Sequence, residues 1–147
     1  MTNEMFLQFS SMSENESFAR VAVSAFITPL DPTINELNEI KTVVSEVVTN
    51  SIIHGYKNDP TQKITLTCKI NNHSEIELMI SDEGVGIDDI EQAKEPLFTS
   101  KPELERSGMG FTIIDSFMDD VKVISEPNKG TTVHMVEQLA KHKTVSK

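Results

Sequence analysis

The chain has 147 residues, 37% of them hydrophobic and 24% charged, with a formal net charge of -10. That is enough chain for one domain with a real core, too little for two of ordinary size, and neither a disordered nor a membrane-spanning composition. The acidity argues against direct binding of nucleic acid, which needs clustered Lys and Arg, and favours a basic protein surface as partner.

No apolar run approaches a membrane helix, and Met1-Thr2-Asn3-Glu4 lacks the basic region and apolar core of a signal peptide, so a cytoplasmic protein with no membrane contact is expected. The single cysteine, Cys68, cannot form an internal disulfide and reads as a small strand residue.

In chain order, Glu4 to Ser10 alternates loosely and predicts a first strand with Met5, Leu7 and Phe9 on one face. Being terminal, it is expected at a sheet edge, where it can pair with a second copy. Ser13 to Glu16 has capping-box spacing and opens a helix to about Ile27, with Phe18, Val21, Ala22, Ala25 and Phe26 as the expected buried stripe. Thr33 to Glu36 repeats the capping box. It opens a central helix expected to end at Gly55 as C-terminal cap, with Leu37, Ile40, Val44, Val47 and Val48 facing the core. On that helix Glu46 and Asn50 stand one turn apart on another face, framed by Val43 and Ile53. By itself the pair fits either a pocket floor or a solvated surface.

Lys63 to Ile70 and Glu75 to Ser81 predict an antiparallel hairpin, followed at once by Asp82-Glu83-Gly84-Val85-Gly86. From about Pro96 to Gly110 the chain is irregular and carries Thr99, Ser100, Lys101, Arg106, Ser107 and Gly108; a loop of that length suits a lid. Phe111 to Met118 reads as a helix. Asp120 to Ser125 and Thr131 to Gln138 read as a last hairpin turned at Pro127 to Gly130, and the tail from Ala140 is expected to fray. The order of elements predicts an α+β sandwich, helices on one face of a mixed, mostly antiparallel sheet.

Several chemistries are excluded. Gly84-Val85-Gly86 lacks the third glycine and the βαβ unit of a dinucleotide site, and no Walker A sequence occurs. Neither an EF-hand nor zinc spacing nor a nucleophile elbow is present. Ser107-Gly108-Met109-Gly110 before a helix suits an anion, and Gly130-Thr131-Thr132 fits a hairpin turn.

Taken in order, these pieces resemble the GHKL ATPase and kinase superfamily. Glu46 with Asn50 looks like its N box, Asp82 to Gly86 like its first glycine box, Ser107 to Gly110 like its second, and Gly130-Thr131-Thr132 like the segment that follows. Nearly the whole chain, notably Asn15 to Arg20 and Lys101 to Phe111, is similar to the anti-sigma factors of endospore-forming bacteria that are also serine kinases. The resemblance implies one Bergerat-type ATP-binding kinase domain over residues 1–147, with 1–10 as edge strand for a homodimer and 140–147 as flexible tail. It implies ATP or ADP and Mg²⁺ as cofactors, and two protein partners, a sigma factor held inactive and an anti-anti-sigma factor phosphorylated on serine. Glu46 would be the general base, Asn50 the magnesium ligand, and Asp82 the acceptor for the adenine amino group. Gly84, Gly86 and Thr131 would flank the base, while Thr99, Lys101, Arg106, Ser107, Gly108 and Gly110 would close over the phosphates. Arg20 is the expected docking residue. The competing reading is a nucleotide-gated binding module without phosphoryl transfer.

Overall fold

A computed structural model describes residues 2–86 and 110–139. Thr99, Lys101, Arg106, Ser107 and Gly108, with the rest of the expected lid and the tail, lie outside the described residues.

Five strands form one sheet: β1 (Thr2–Ser10), β2 (Lys63–Asn71), β3 (Glu75–Asp82), β4 (Asp120–Glu126) and β5 (Gly130–Gln138), in the spatial order β1-β2-β3-β5-β4. All four pairings are antiparallel, so among the described residues the sheet contains no parallel pair. Among the described residues three α-helices, α1 (Glu14–Ile27), α2 (Ile34–Asn50) and α3 (Gly110–Phe117), cover one face, with α2 packed against both others.

The alternation in the strands decides which face is covered. Met5, Leu7 and Phe9 of β1 face the helices beside Ile64, Leu66, Cys68 and Ile70 of β2 and Ile76, Leu78 and Ile80 of β3. Val133 and Met135 continue this layer on β5. Among the described residues no helix covers the opposite face, where Phe6 is 68% and Ile124 57% exposed. Cys68 is fully buried, and that burial pushes its thiol up to about 12, which leaves it an apolar filler.

The helices depart from expectation in instructive ways. The Thr33 capping box forms: Thr33 Oγ1 accepts from the Glu36 N–H at 3.1 Å, and Glu36 Oε1 accepts from the Thr33 N–H at 2.8 Å. The Ser13 box does not, because Ser13 makes no side-chain cap and the Glu16 carboxylate is drawn to α2. The buried stripe of α1 is Ala19, Val23 and Ile27, while Phe18 is 51% and Val21 64% exposed. Two polar contacts match that rotation: Asn15 Nδ2 donates to the Ser10 carbonyl at 2.9 Å, and Glu16 is bonded to Ser45. Ala19 in the buried stripe is fully enclosed, and α1 packs against α2. Val43, expected beside the second face of α2, is in the core, and Leu37 lies at the core's margin.

One inward position on β5 carries a carboxylate. Glu137 follows Val133 and Met135 in the inward register and accepts the Asp119 N–H at 2.9 Å. Burial, then the nearby charge of Asp119, with smaller contributions from Glu39 and Glu36, pushes its pKa up to about 7 from 4.5. The folded chain therefore holds this proton more tightly than the unfolded chain, so the stability linked to Glu137 is complete below about 4.5 and is lost as pH rises through 7. Glu137→Gln keeps an acceptor for Asp119 and abolishes the charge. Thermal midpoints measured from pH 5 to pH 8.5 should fall less in this variant than in the wild type; parallel curves would refute the assignment.

Candidate functional site

The inward row of β3 runs Ile76, Leu78, Ile80 and then Asp82, so the alternation that builds the core ends on a carboxylate. Asp82 is only 7% exposed. A charge so placed needs donors, and three converge on it: the Gly84 N–H at 2.9 Å, the Ser51 hydroxyl and the Thr131 N–H. Burial nevertheless dominates and raises the Asp82 pKa above the ordinary carboxylate range, the three donors working against it.

Ser51 reaches Asp82 from the C-cap position of α2, its own N–H still bonded to the Val47 carbonyl. After Asn50 the chain widens into a π turn over Ser51–Gly55, closed by the Tyr56 N–H on the Ser51 carbonyl at 2.8 Å. Single π turns inside or at the end of α-helices recur at functional sites. Gly55 does not act as a left-handed cap, the role expected of it. Its small size is what matters, since a Cβ there would lie 2.9 Å from Asp82 Oδ2.

The first glycine box closes on the same turn. The Val85 N–H donates to the Gly55 carbonyl at 2.9 Å, and a Cβ on Gly84 would lie 2.0 Å from that oxygen. Gly86, at φ 78°, passes Glu126 of the β4–β5 turn, where a Cβ would meet the carbonyl oxygen at 2.0 Å. Gly130, at φ 90°, presses on the other side, 2.1 Å from the Asp82 carbonyl oxygen by the same measure. Thr131 stands beside Asp82 in register, its hydroxyl 2.8 Å from Ser125 Oγ. Tyr56 ties the ensemble from below: its hydroxyl donates to the Lys63 carbonyl and accepts the Glu83 N–H, each at 2.6 Å. Its phenol is raised above its ordinary pKa, first by burial.

Glu46 and Asn50 are both half-buried on α2, one turn apart, and Asn50 immediately precedes the π turn. The structure thus brings Asp82, Gly84, Gly86 and Thr131 together at the end of α2 that carries Asn50. Gly110 begins α3. Arg20 lies apart, on α1, between exposed Phe18 and Val21. Ser51 and Tyr56 were not singled out from sequence; Ser51 directly follows the N-box Asn50, and Tyr56 read only as the start of a polar connection. A small cleft of about 230 Å³ borders this ensemble, lined by Tyr56, Lys63, Thr65, Ser81, Asp82 and Glu83 among others, and does not include Glu46 or Asn50. Among the described residues no cluster of three or more His, Cys, Asp or Glu side chains could hold a metal ion, and no helix is long and apolar enough to cross a membrane.

A buried strand-end acceptor, glycines in contact across it and a carboxylate–carboxamide helix above it define a nucleotide-binding type of α+β domain. The chain belongs to the histidine kinase-like ATPase domain family, which matches residues 9–137. Within it, the chain belongs to the anti-sigma F factor family. The anti-sigma F factor of Oceanobacillus iheyensis is 68% identical over 145 residues, covering 99% of each chain. That of Geobacillus kaustophilus is 62% identical with the same coverage. The fold alone is shared with the RsbU and RsbW domains of a Mycobacterium tuberculosis protein, at TM-score 0.66 and 12% identity over 93% of this chain and 32% of that one. It is shared too with the histidine kinase domain of a blue-light activated kinase of Erythrobacter litoralis, at TM-score 0.56 and 21% identity over 75% and 48%.

Two substitutions probe the packing around Asp82. Gly84→Ala should destabilise the chain by about 1–3 kcal/mol in urea unfolding, because its methyl group must displace the Gly55 carbonyl. Tyr56→Phe strands two backbone groups and should cost about 1–3 kcal/mol by the same measurement. Wild-type midpoints in both variants would contradict these contacts.

Proposed function

We propose that the chain is an anti-sigma factor that binds ATP at Asp82 and, as a serine kinase, phosphorylates an anti-anti-sigma factor. The observation that carries the reading is the buried Asp82 carboxylate at the foot of the π turn that follows Asn50, in a chain 68% identical to an anti-sigma F factor.

A carboxylate accepts but does not donate, so Asp82 suits the exocyclic amino group of adenine and discriminates against the keto oxygen of guanine. A donor from the base would add to the three that already oppose burial. Thr131, Gly84 and Gly86 bound the same place. The donor set fits Mg²⁺ delivered with ATP: Asn50 offers one neutral oxygen, and magnesium keeps phosphates and waters as its other ligands. When bound, the ion supplies charge neutralisation on the phosphates. Glu46, a turn before Asn50, accepts the proton of the attacking serine hydroxyl as that oxygen bonds to the γ-phosphorus and ADP leaves. Thr99, Lys101, Arg106, Ser107, Gly108 and Gly110 serve as phosphate partners in this reading. A half-buried Glu46 one turn from Asn50 favours a kinase over a module that only switches partners with nucleotide.

Protein docking is assigned to α1. Apolar side chains at Phe18 and Val21 face outward around Arg20, a composition suited to an interface centre. The net charge of -10 favours a basic partner surface over nucleic acid. The sigma factor and the anti-anti-sigma factor are the partners, in the cytoplasm of a sporulating cell. A homodimer forms through edge strand β1, whose outer edge has no neighbour among the described strands.

Calorimetry on Asp82→Ala should show ATP binding at least tenfold weaker, and unchanged affinity would remove the adenine assignment. Transfer of labelled γ-phosphate to the anti-anti-sigma factor should fall about 10²- to 10⁴-fold in Glu46→Ala. Absence of transfer by wild-type protein with ATP bound would leave the nucleotide-gated module standing instead.

A further inference from the structure

Glu16 occupies the position from which a capping box would reach back to the start of α1, yet its carboxylate points elsewhere. Oε2 accepts the Ser45 hydroxyl of α2 and lies 2.9 Å from Arg20 Nε. Arg20 Nη2 in turn donates to Ser17 Oγ at 3.1 Å. The Arg20 Nε is buried and its N–H is not aligned on an acceptor, so the 2.9 Å approach is an ion pair rather than a directed hydrogen bond. Glu16 is 19% and Arg20 37% exposed at the side chain, so the pair straddles the boundary between core and solvent.

An ion pair without directional hydrogen bonding leaves the carboxylate free to turn, and the guanidinium with it. Two destinations compete for Glu16: the Ser13 N–H at the start of its own helix, which a capping box would engage, and the Ser45–Arg20 site. The Ser45 hydroxyl decides between them, because its hydrogen bond fixes the Oε2 atom that faces Arg20. We infer that Ser45 is a positioning residue: acting through Glu16, it sets the plane in which Arg20 is presented beside Phe18 and Val21 to an acidic group on a protein partner. This rests on the reading of α1 as the docking helix. Ser45 also precedes Glu46 on α2, so the presented guanidinium is referenced to the helix that carries the proposed base rather than to α1 alone.

The chain contains two arginines, Arg20 and Arg106, which makes the contact directly observable. In a ¹⁵N-labelled chain the two Nε–Hε signals are assigned by Arg106→Lys, which leaves Arg20 alone. Ser45→Ala and Glu16→Gln should each shift and broaden the Arg20 signal, and Ser45→Thr, which keeps the hydroxyl, should restore it. Binding of the cognate sigma factor should weaken about 3- to 10-fold in Ser45→Ala, recover in Ser45→Thr, and weaken no further when Ser45→Ala is added to Arg20→Ala. An Arg20 signal unmoved by Ser45→Ala overturns the positioning role, as does a Ser45→Ala binding loss that persists in full in the Arg20→Ala background. Arg20→Ala binding the sigma factor as tightly as wild type overturns the docking role of α1 instead, and the spectrum then still reports separately whether Ser45 holds Glu16 against Arg20.

Discussion

The site depends on one constraint, a carboxylate brought inside by strand alternation that must be satisfied where it lands. Asp82 continues the row Ile76, Leu78, Ile80 into the covered layer, where an isolated charge is costly. Its donors come from three parts of the chain: the turn just after it, the end of α2 and the last hairpin. Each must approach closely, and each approach passes a backbone without a side chain. Gly55, Gly84 and Gly130 lie where a Cβ would strike Asp82, its carbonyl or a neighbour across it. Glycines that in a sequence suggest room for a phosphate or a base are, here, first of all room for the protein's own backbone.

The π turn serves the same site. Ser51 still takes the ordinary step of about 100° from Asn50, its N–H on the Val47 carbonyl, so its side chain leaves the helix in a different direction from Asn50; the wider closure from Tyr56 to Ser51 comes after it and carries the chain on to Gly55, beside Asp82. A structural contact to the site floor and a candidate chemical pair thus sit on consecutive residues without competing for the same direction. Tyr56 then anchors the exit of the turn to β2 and to the backbone after Asp82, which ties the glycine box to the sheet on both sides.

The strands and their hairpins were legible from alternation, because a period of two leaves no freedom about which face a residue takes; Asp82, read as following the strand, is its last residue and continues the inward row. The first helix was not so legible. Its apolar residues permit two stripes, and bulk favours the one with Phe18 and Val21; the actual rotation is set by long-range contacts, Asn15 to Ser10 and Glu16 to Ser45, which no local window contains. The Ser13 capping spacing failed for the same reason, since α2 outcompetes the helix terminus for Glu16, whereas Thr33 and Glu36 formed their box as the local pattern implied. Ser51 was missed because its contact is long-range: no local window shows that the helix position after Asn50 meets the end of β3.

Glu137 shows why a perturbed carboxylate alone does not mark a site. Like Asp82, it occupies an inward position near one end of the sheet, and in both cases burial is the first cause of a raised pKa. Their surroundings then diverge. The further causes at Glu137 are mainly acidic neighbours, Asp119, Glu39 and Glu36, against one backbone donor, so its least costly response is to take up a proton. The further causes at Asp82 are three donors, all of which favour the charged form. A buried carboxylate whose donors already oppose the cost of burial gains from one more donor, such as an amino group, while a surrounding crowded with negative charge is relieved by protonation alone. The donor set, rather than the size of the shift, is what directs a ligand to Asp82.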